Sequence, residues 1–323
     1  MTVRVHRVAT SGDVGLDVTE AGPADGPVVV LLHGFPESAH SWRHQIEPLA
    51  AAGYRVIVPD QRGYAGSSAP DAIEAYSAAH LTADVCALLD DAGAERAVIV
   101  GHDWGALVAW HMGLLHPERC RAVFSASVPF NTWPARPTAV YQRMHGDRFF
   151  YINYFQQPGV AEAEIEPQTE RFLRAIYWAL AGEAGPYRPS GAPLAGTLLV
   201  DEFEHFLGGI PEGLPPWLTP GDLATYVAQF ERSGFRGPIN WYRNFDANWE
   251  LTKHLGPEAL SMPTAFVAGQ RDAVIAARDL VGAQDAMLPN HLGSTLLAGA
   301  GHWTQQERPA EFNAWLLARL AQI

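Results

Sequence analysis

The chain has 323 residues, of which 48% are hydrophobic and 18% charged, a balance that suits a globular protein with a sizeable core and excludes a disordered segment. Its 22 basic and 35 acidic residues leave a net charge of −13. Such a surface repels phosphate backbones and anionic lipids, so neither nucleic acid nor a membrane is an expected partner. The opening Met1-Thr2-Val3-Arg4 lacks the apolar stretch of a secretory signal, and the longest aliphatic run, Val28–Leu32, is far too short to span a bilayer. Cys86 and Cys120 lack metal-ligand spacing and read as free thiols of a reducing, cytoplasmic setting.

The length suits one core domain with a large insertion better than two independent domains. Val3–Ala9 and Val14–Glu20 read as strands joined by a hairpin at Ser11-Gly12-Asp13. Pro27–Leu32 is a continuous apolar run, as expected of a strand buried on both faces. A helix is predicted over Trp42–Ala52, closed by Gly53, and a short strand over Arg55–Val58. Ser77 is a candidate cap for a helix that places Leu81, Val85, Leu88 and Leu89 on one face. Ala97–Val100 is the next buried strand. Gly101–Gly105 forms a turn, a helix follows to about His116, and Arg121–Ser125 is a further strand. This alternation predicts a parallel sheet with helices on both faces.

The rhythm breaks between Asn131 and Phe245, a stretch that holds more than half of the chain's aromatic residues. Two stretches rich in proline and glycine, Gly182–Gly196 and Leu207–Gly221, read as loops. Thr219-Pro220 offers a helix start, Leu223, Tyr226, Val227 and Phe230 follow at helical spacing, and Gly234 ends the run. Residues 131–245 are therefore expected to form a helical cap on a core made of residues 1–130 and 246–323. Strands resume at Thr264–Gly269 and Ser294–Leu297, and Pro309–Leu320 closes the chain as an amphipathic helix.

The chemistry concentrates at strand ends. Gly101-His102-Asp103-Trp104-Gly105 has the spacing of a nucleophile elbow, with aspartate where serine is usual. A side chain two residues to either side would collide with the sharp strand-to-helix turn, hence the glycines. Aspartate also suits a helix N-cap, but the position straight after a buried strand favours the elbow. His33-Gly34-Phe35-Pro36-Glu37 follows the strand Pro27–Leu32, where an oxyanion-binding amide is expected; the candidates are the backbone N–H groups of Phe35 and Trp104. His33 reads as a structural hydrogen-bonding residue. Asp272 and His302 each follow a strand and complete the order nucleophile, acid, histidine. Strand carboxyl ends meet at one place in such a sheet.

With these motifs in view, the chain resembles the soluble epoxide hydrolases from about Val28 to Trp315. His33-Gly34-Phe35-Pro36-Glu37-Ser38, Gly101-His102-Asp103-Trp104-Gly105 and Gly301-His302-Trp303-Thr304-Gln305 are similar to that family's oxyanion, elbow and histidine segments. Tyr151-Ile152-Asn153-Tyr154-Phe155-Gln156, Ser233-Gly234-Phe235-Arg236-Gly237-Pro238 and Asn240-Trp241-Tyr242-Arg243-Asn244 are similar to the segments that carry its two epoxide-activating tyrosines. The resemblance implies an α/β-hydrolase fold with an inserted helical cap. It implies Asp103 as nucleophile, His302 as base, Asp272 as its orienting acid, and Tyr151 and Tyr242 as activating phenols, with Tyr154 close to the first of these. Phe35, Trp104, Tyr154 and Trp303 are expected to line the pocket. The substrate would be a small lipophilic epoxide, opened through an ester on Asp103 without metal or organic cofactor.

Three other readings share part of this pattern. A haloalkane dehalogenase has the same nucleophile and base but needs donors for a halide, whereas paired tyrosines suit an epoxide oxygen. An esterase would carry serine at the elbow. A non-catalytic binding protein on the same fold would have no reason to keep the nucleophile, acid and base together. A monomer and a symmetric dimer both fit the sequence.

Overall fold

The computed structural model describes residues 3–188, 191–193, 198–275 and 280–323. Eight strands form one sheet: β1 Val3–Ala9, β2 Gly15–Ala21, β3 Val28–Leu32, β4 Arg55–Pro59, β5 Ala97–His102, β6 Cys120–Ala126, β7 Thr264–Gly269 and β8 His291–Leu297. Their spatial order is β1-β2-β4-β3-β5-β6-β7-β8. The β1–β2 and β2–β4 pairs are antiparallel, and every pair from β4 to β8 is parallel. The hairpin predicted at the N-terminus is present, with β2 shifted one residue along the chain because Val14 accepts the Thr10 amide in the turn (2.8 Å).

Alternation along the strands builds two cores. Val28, Val30, Leu32, Ile57 and Ile99 face one side, where they meet Leu81, Val85, Leu88 and Leu89 of helix Ala78–Asp91. Val29, Leu31, Val56, Val58, Val98 and Val100 face the other, against Leu49 of helix Arg43–Ala51 and Phe312, Trp315 and Leu316 of helix Pro309–Leu320. Strands β3, β5 and β7 are buried along their whole length, which is why Val28–Leu32, Ala97–Val100 and Ala265–Ala268 read as apolar runs. Cys120 is buried and Cys86 half-buried, both as free thiols.

Two helix starts differ from expectation. The helix expected from Trp42 is preceded by a tighter turn, Ala39–Trp42, in which Ser38 caps the His40 amide (3.2 Å). Ser77 stands at the N-cap position, but its hydroxyl pairs with His80 Nδ1 (2.9 Å) and caps no backbone amide.

The insertion between β6 and β7 carries the helices Pro137–His145, Tyr151–Tyr154, Val160–Ile165, Thr169–Ala179, Leu199–Leu207, Pro220–Ser233, Arg236–Arg243 and Phe245–Thr252. Thr219 caps its helix as expected. Its hydroxyl accepts the Asp222 amide (3.1 Å) while Asp222 accepts the Thr219 amide (3.0 Å). The same Asp222 carboxylate meets His40 Nε2 (2.6 Å) and Arg43 Nε (2.9 Å), which pins this helix to the core. Gly234 ends it with φ of 68°. Of the loop expected over Gly182–Gly196, residues 189–190 and 194–196 lie outside the described residues. Among the described residues no helix is long and apolar enough to cross a membrane.

Candidate active site

Asp103 sits between β5 and helix Trp104–Leu115 with φ of 50° and ψ of −116°. A non-glycine residue held there stores strain of about 1–3 kcal/mol. The neighbours show why the turn has this sequence. A Cβ on Gly101 would meet the backbone of Gly105, one on Gly105 the carbonyl of Leu32, and one on Gly34 the Asp103 side chain itself. The Asp103 side chain caps no helix amide. Instead Oδ1 accepts the Phe35 N–H (2.8 Å), an amide of the loop after β3. Trp104 is the first residue of its helix, where a backbone N–H has no intrahelical partner.

The other carboxylate oxygen faces the histidine loop. His302 Nε2 lies 3.5 Å from Asp103 Oδ2, and His302 Nδ1 lies 3.1 and 3.2 Å from the oxygens of Asp272. Asp272 and His302 are buried, while the Asp103 side chain keeps 17% of its surface exposed. The three groups thus form one line, from the end of β5 through the loop after β8 to the loop after β7. Burial works against ionised Asp103, but the His302 hydrogen bond and charge, His102 and the Phe35 amide hold its carboxyl below the ordinary range. Burial likewise works against a charged His302, yet the Asp272 charge and the Asp103 hydrogen bond keep it well above the ordinary histidine value.

Tyr151 and Tyr242 reach this line from the inserted helices. Their rings stand edge to face, 5.9 Å between centroids. Tyr242 also packs on Phe35 (5.4 Å) and Trp104 (5.0 Å), the two residues whose backbones flank Asp103. Burial first, then for Tyr242 the Asp103 charge and for Tyr151 the charges of Tyr141 and Asp103, raise both phenols well above 10. Each therefore stays protonated near neutrality. A carboxylate, a histidine and two phenol donors can together open a strained C–O bond and hydrolyse the resulting ester. Among the described residues no three His, Cys, Asp or Glu side chains are arranged to hold a metal ion.

A family model of the alpha/beta hydrolase fold matches residues 27–169. Epoxide hydrolase A of Mycobacterium tuberculosis is 46% identical over 100% of this chain and 99% of its own, and epoxide hydrolase B of the same organism is 38% identical over 97% of each. The crystal structure of epoxide hydrolase A from Mycobacterium thermoresistibile superposes with a TM-score of 0.88 at 46% identity, over 99% of this chain and 98% of that one. An epoxide hydrolase from an endophytic Streptomyces superposes with a TM-score of 0.89 at 39% identity, over 99% and 95%. The chain belongs to the epoxide hydrolase family. It is a hydrolase with the α/β-hydrolase fold.

Not every residue expected at this epoxide hydrolase site is turned toward it. The Tyr154 hydroxyl donates to Glu164 Oε2 (2.6 Å), and Glu164 also accepts the amides of Leu199 and Val200 (3.2 and 3.0 Å). Tyr154 thus braces a helix start, which leaves Tyr151 as the phenol beside Tyr242. Trp303 is fully buried, with its indole N–H on the Tyr177 carbonyl (3.0 Å) and its ring 5.0 Å from that of His302. It backs the histidine. His33 is structural as expected: Nε2 accepts the Gln61 amide (3.0 Å), and burial pushes its pKa down to about 4, so the ring is neutral.

Sequence reasoning missed two supports. Glu37 and His102 form a fully buried pair (2.8 Å) behind the elbow. Glu37 also accepts from the Gly34 amide, Gln305 and Gln306, and His102 Nε2 faces the His302 carbonyl (2.8 Å). Arg243, the residue after Tyr242, binds Glu162 through two nitrogens (2.6 and 3.0 Å) and the Phe155 carbonyl through Nε (2.9 Å). It ties the Tyr242 helix to the segment that follows Tyr151. Arg243→Lys keeps the charge but loses the fork, so epoxide turnover is expected to slow about tenfold with the fold retained. Steady-state diol formation and near-ultraviolet circular dichroism check this, and an unchanged rate would refute a role in spacing the phenols.

Proposed function

We propose that this chain converts lipophilic epoxides to vicinal diols through an alkyl ester on Asp103. The observation that carries the reading is a carboxylate nucleophile faced, from the inserted helices, by two protonated phenols. Backside attack at a saturated carbon needs an anionic nucleophile, and Asp103 is held ionised. Its Oδ1 is engaged by the Phe35 amide, which leaves Oδ2 to attack. The C–O bond of the ring breaks as the new ester bond forms, and the departing oxygen takes a proton from Tyr151 or Tyr242.

Ester formation removes the Asp103 charge that helped His302 keep its proton. His302 gives up that proton and the phenolate left by ring opening regains one through solvent; neutral His302 then takes a proton from water, and the hydroxide adds to the ester carbonyl carbon. The oxyanion at Oδ1 rests on the amides of Phe35 and Trp104; losing one such donor typically costs about 100- to 1000-fold in rate. Asp272 fixes the tautomer and steadies the imidazolium. Collapse releases a diol that keeps Oδ2 and takes the imidazolium proton, and the proton on the re-formed Asp103 carboxyl passes back to His302. The aromatic wall of Phe35, Trp104, Phe155 and Tyr242 favours apolar substituents on the epoxide and excludes bulk water.

Residues 131–245 act as the cap and residues 1–130 and 246–323 as the core in this reading. Helix Phe245–Thr252 stands at the junction: Asp246 accepts from Thr138 on one side (2.6 Å), and Asn248 accepts the Ala78 amide on the other (2.7 Å). The acidic surface and free thiols support a cytoplasmic enzyme, and a monomer and a homodimer both fit the reading.

A single turnover in heavy-oxygen water, with enzyme in excess over a lipophilic terminal epoxide, tests the mechanism. Label is expected in the Asp103 carboxylate and not in the diol. Labelled diol with unlabelled Asp103 would mean direct attack by water. Chloroalkanes are expected to release no halide, and rapid release would favour dehalogenation. Tyr242→Phe is expected to slow ester formation about 10- to 100-fold, with Tyr151 left to donate. Stopped-flow fluorescence reads this step, and an unchanged rate would remove Tyr242 from the mechanism.

A further inference from the structure

Glu307 ends the short helix Thr304–Glu307 that follows the histidine loop, and its carboxylate is buried. Three backbone amides converge on it. Oε2 accepts from Gly301 (2.8 Å) and Gly182 (2.9 Å), and Oε1 accepts from Trp303 (3.0 Å). Gly301 and Trp303 flank His302. Gly182 belongs to the turn after the inserted helix Thr169–Ala179.

That turn is bonded to the catalytic loops at further points. The Leu180 carbonyl accepts the His302 amide (2.8 Å), and the Gly182 carbonyl accepts from Arg271, the neighbour of Asp272 (2.9 Å). A Cβ on Gly182 would meet the Gly299 carbonyl, and one on Gly301 would meet the Gly182 amide and the Leu180 carbonyl. Two backbones therefore touch with no side chain between them, and one carboxylate serves amides of both. A buried carboxylate is costly unless its oxygens are bonded. Burial pushes the Glu307 carboxyl up to about 7, with the Gly301, Gly182 and Trp303 amides pulling the other way and the Glu183 charge adding to the rise.

We propose that Glu307 is a positioning residue for the hydrolytic step: it holds the amides on both sides of His302 and ties the placement of that imidazole to the seating of the inserted helices. This rests on His302 acting as the base in the mechanism above. Ester formation draws on Asp103, Tyr151 and Tyr242, and the hydrogen bonds of the Glu307 carboxylate go to none of them. Ester hydrolysis draws on His302. Loss of the Glu307 carboxylate should therefore fall on the second step.

Glu307→Gln preserves the shape but turns one acceptor oxygen into a donor that faces an amide N–H. In single turnovers with a lipophilic terminal epoxide, ester formation should stay within about twofold of wild type and ester hydrolysis should slow about 10- to 100-fold. The ester should then accumulate, read by intact-protein mass, at an unchanged near-ultraviolet circular dichroism spectrum. Equal slowing of both steps, or no slowing, overturns the proposal. Should Glu307→Gln fail to fold, Glu307→Asp is measured in the same way and should show the same bias. Loss of fold in both variants overturns the proposal, because Glu307 would then be a structural joint only. Wild-type enzyme that forms diol with no ester at any time would overturn the mechanism and the inference together. A wild-type ester with an unbiased variant overturns the inference alone.

Discussion

Asp103→Ala is expected to leave an enzyme that binds lipophilic epoxides and releases no measurable diol. The loss should be at least about 10,000-fold, the range in which removal of a covalent nucleophile falls. Binding should survive, because the apolar wall of Phe35, Trp104 and Tyr242 does not depend on the carboxylate. The fold should survive as well. The positive φ at position 103 is imposed by the packing of Gly101 against Gly105 and of Gly105 against Leu32. The variant gives up one hydrogen bond, from the Phe35 amide, and the contact with His302. Epoxide binding is read by quenching of tryptophan fluorescence, and diol by chromatography after long incubation. Diol formation at the wild-type rate would mean that His302 activates water for direct attack on the epoxide. The elbow would then serve only to charge the histidine.

The parts of this site that follow one another along the chain were legible in the sequence. The elbow is written in five residues because sterics at one turn forbid a Cβ at both Gly101 and Gly105. Asp272 could be placed because it follows β7, whose burial on both faces leaves an apolar run, and His302 because it follows the next strand, the half-buried β8, and completes the order of nucleophile, acid and histidine. Residue partners chosen across the fold were not legible. Glu37 and His102 are 65 positions apart, and no periodicity marks a carboxylate that will be buried against an imidazole. Tyr151 and Tyr154 lie in one short helix and differ only in what their hydroxyls meet; Glu164 claims the second. Trp303 looked like a pocket residue because it adjoins His302. Its indole is drawn inward by the Tyr177 carbonyl on an inserted helix. Glu307 likewise shows its use only where the insertion folds back onto the histidine loop.

His302→Gln should separate the two chemical steps. Glutamine can still hydrogen-bond Asp272, but it cannot accept a proton from water. Asp103 and the phenols remain, so one equivalent of epoxide should be consumed at a rate near that of wild type. The ester should then persist, with hydrolysis slowed at least about 1000-fold. Intact mass should show the protein heavier by one epoxide. The pH dependence of wild type follows from the same groups, and its sign can be worked out. Asp103 is held below the ordinary carboxylate range, so ester formation should be flat with pH above about 6. In the free enzyme burial lowers the His302 pKa, and Asp272 and Asp103 together overcome it. In the ester only the Asp272 carboxylate still opposes burial, so the His302 pKa falls relative to the free enzyme. Hydrolysis requires the neutral ring; its rate should therefore rise with pH and level off once His302 has lost its proton. The steady-state fraction of ester should be largest at acid pH and shrink as pH increases. Rapid quench at several pH values measures that fraction. An ester that accumulates toward alkaline pH, or turnover in His302→Gln beyond the first equivalent, would show that another group activates the water.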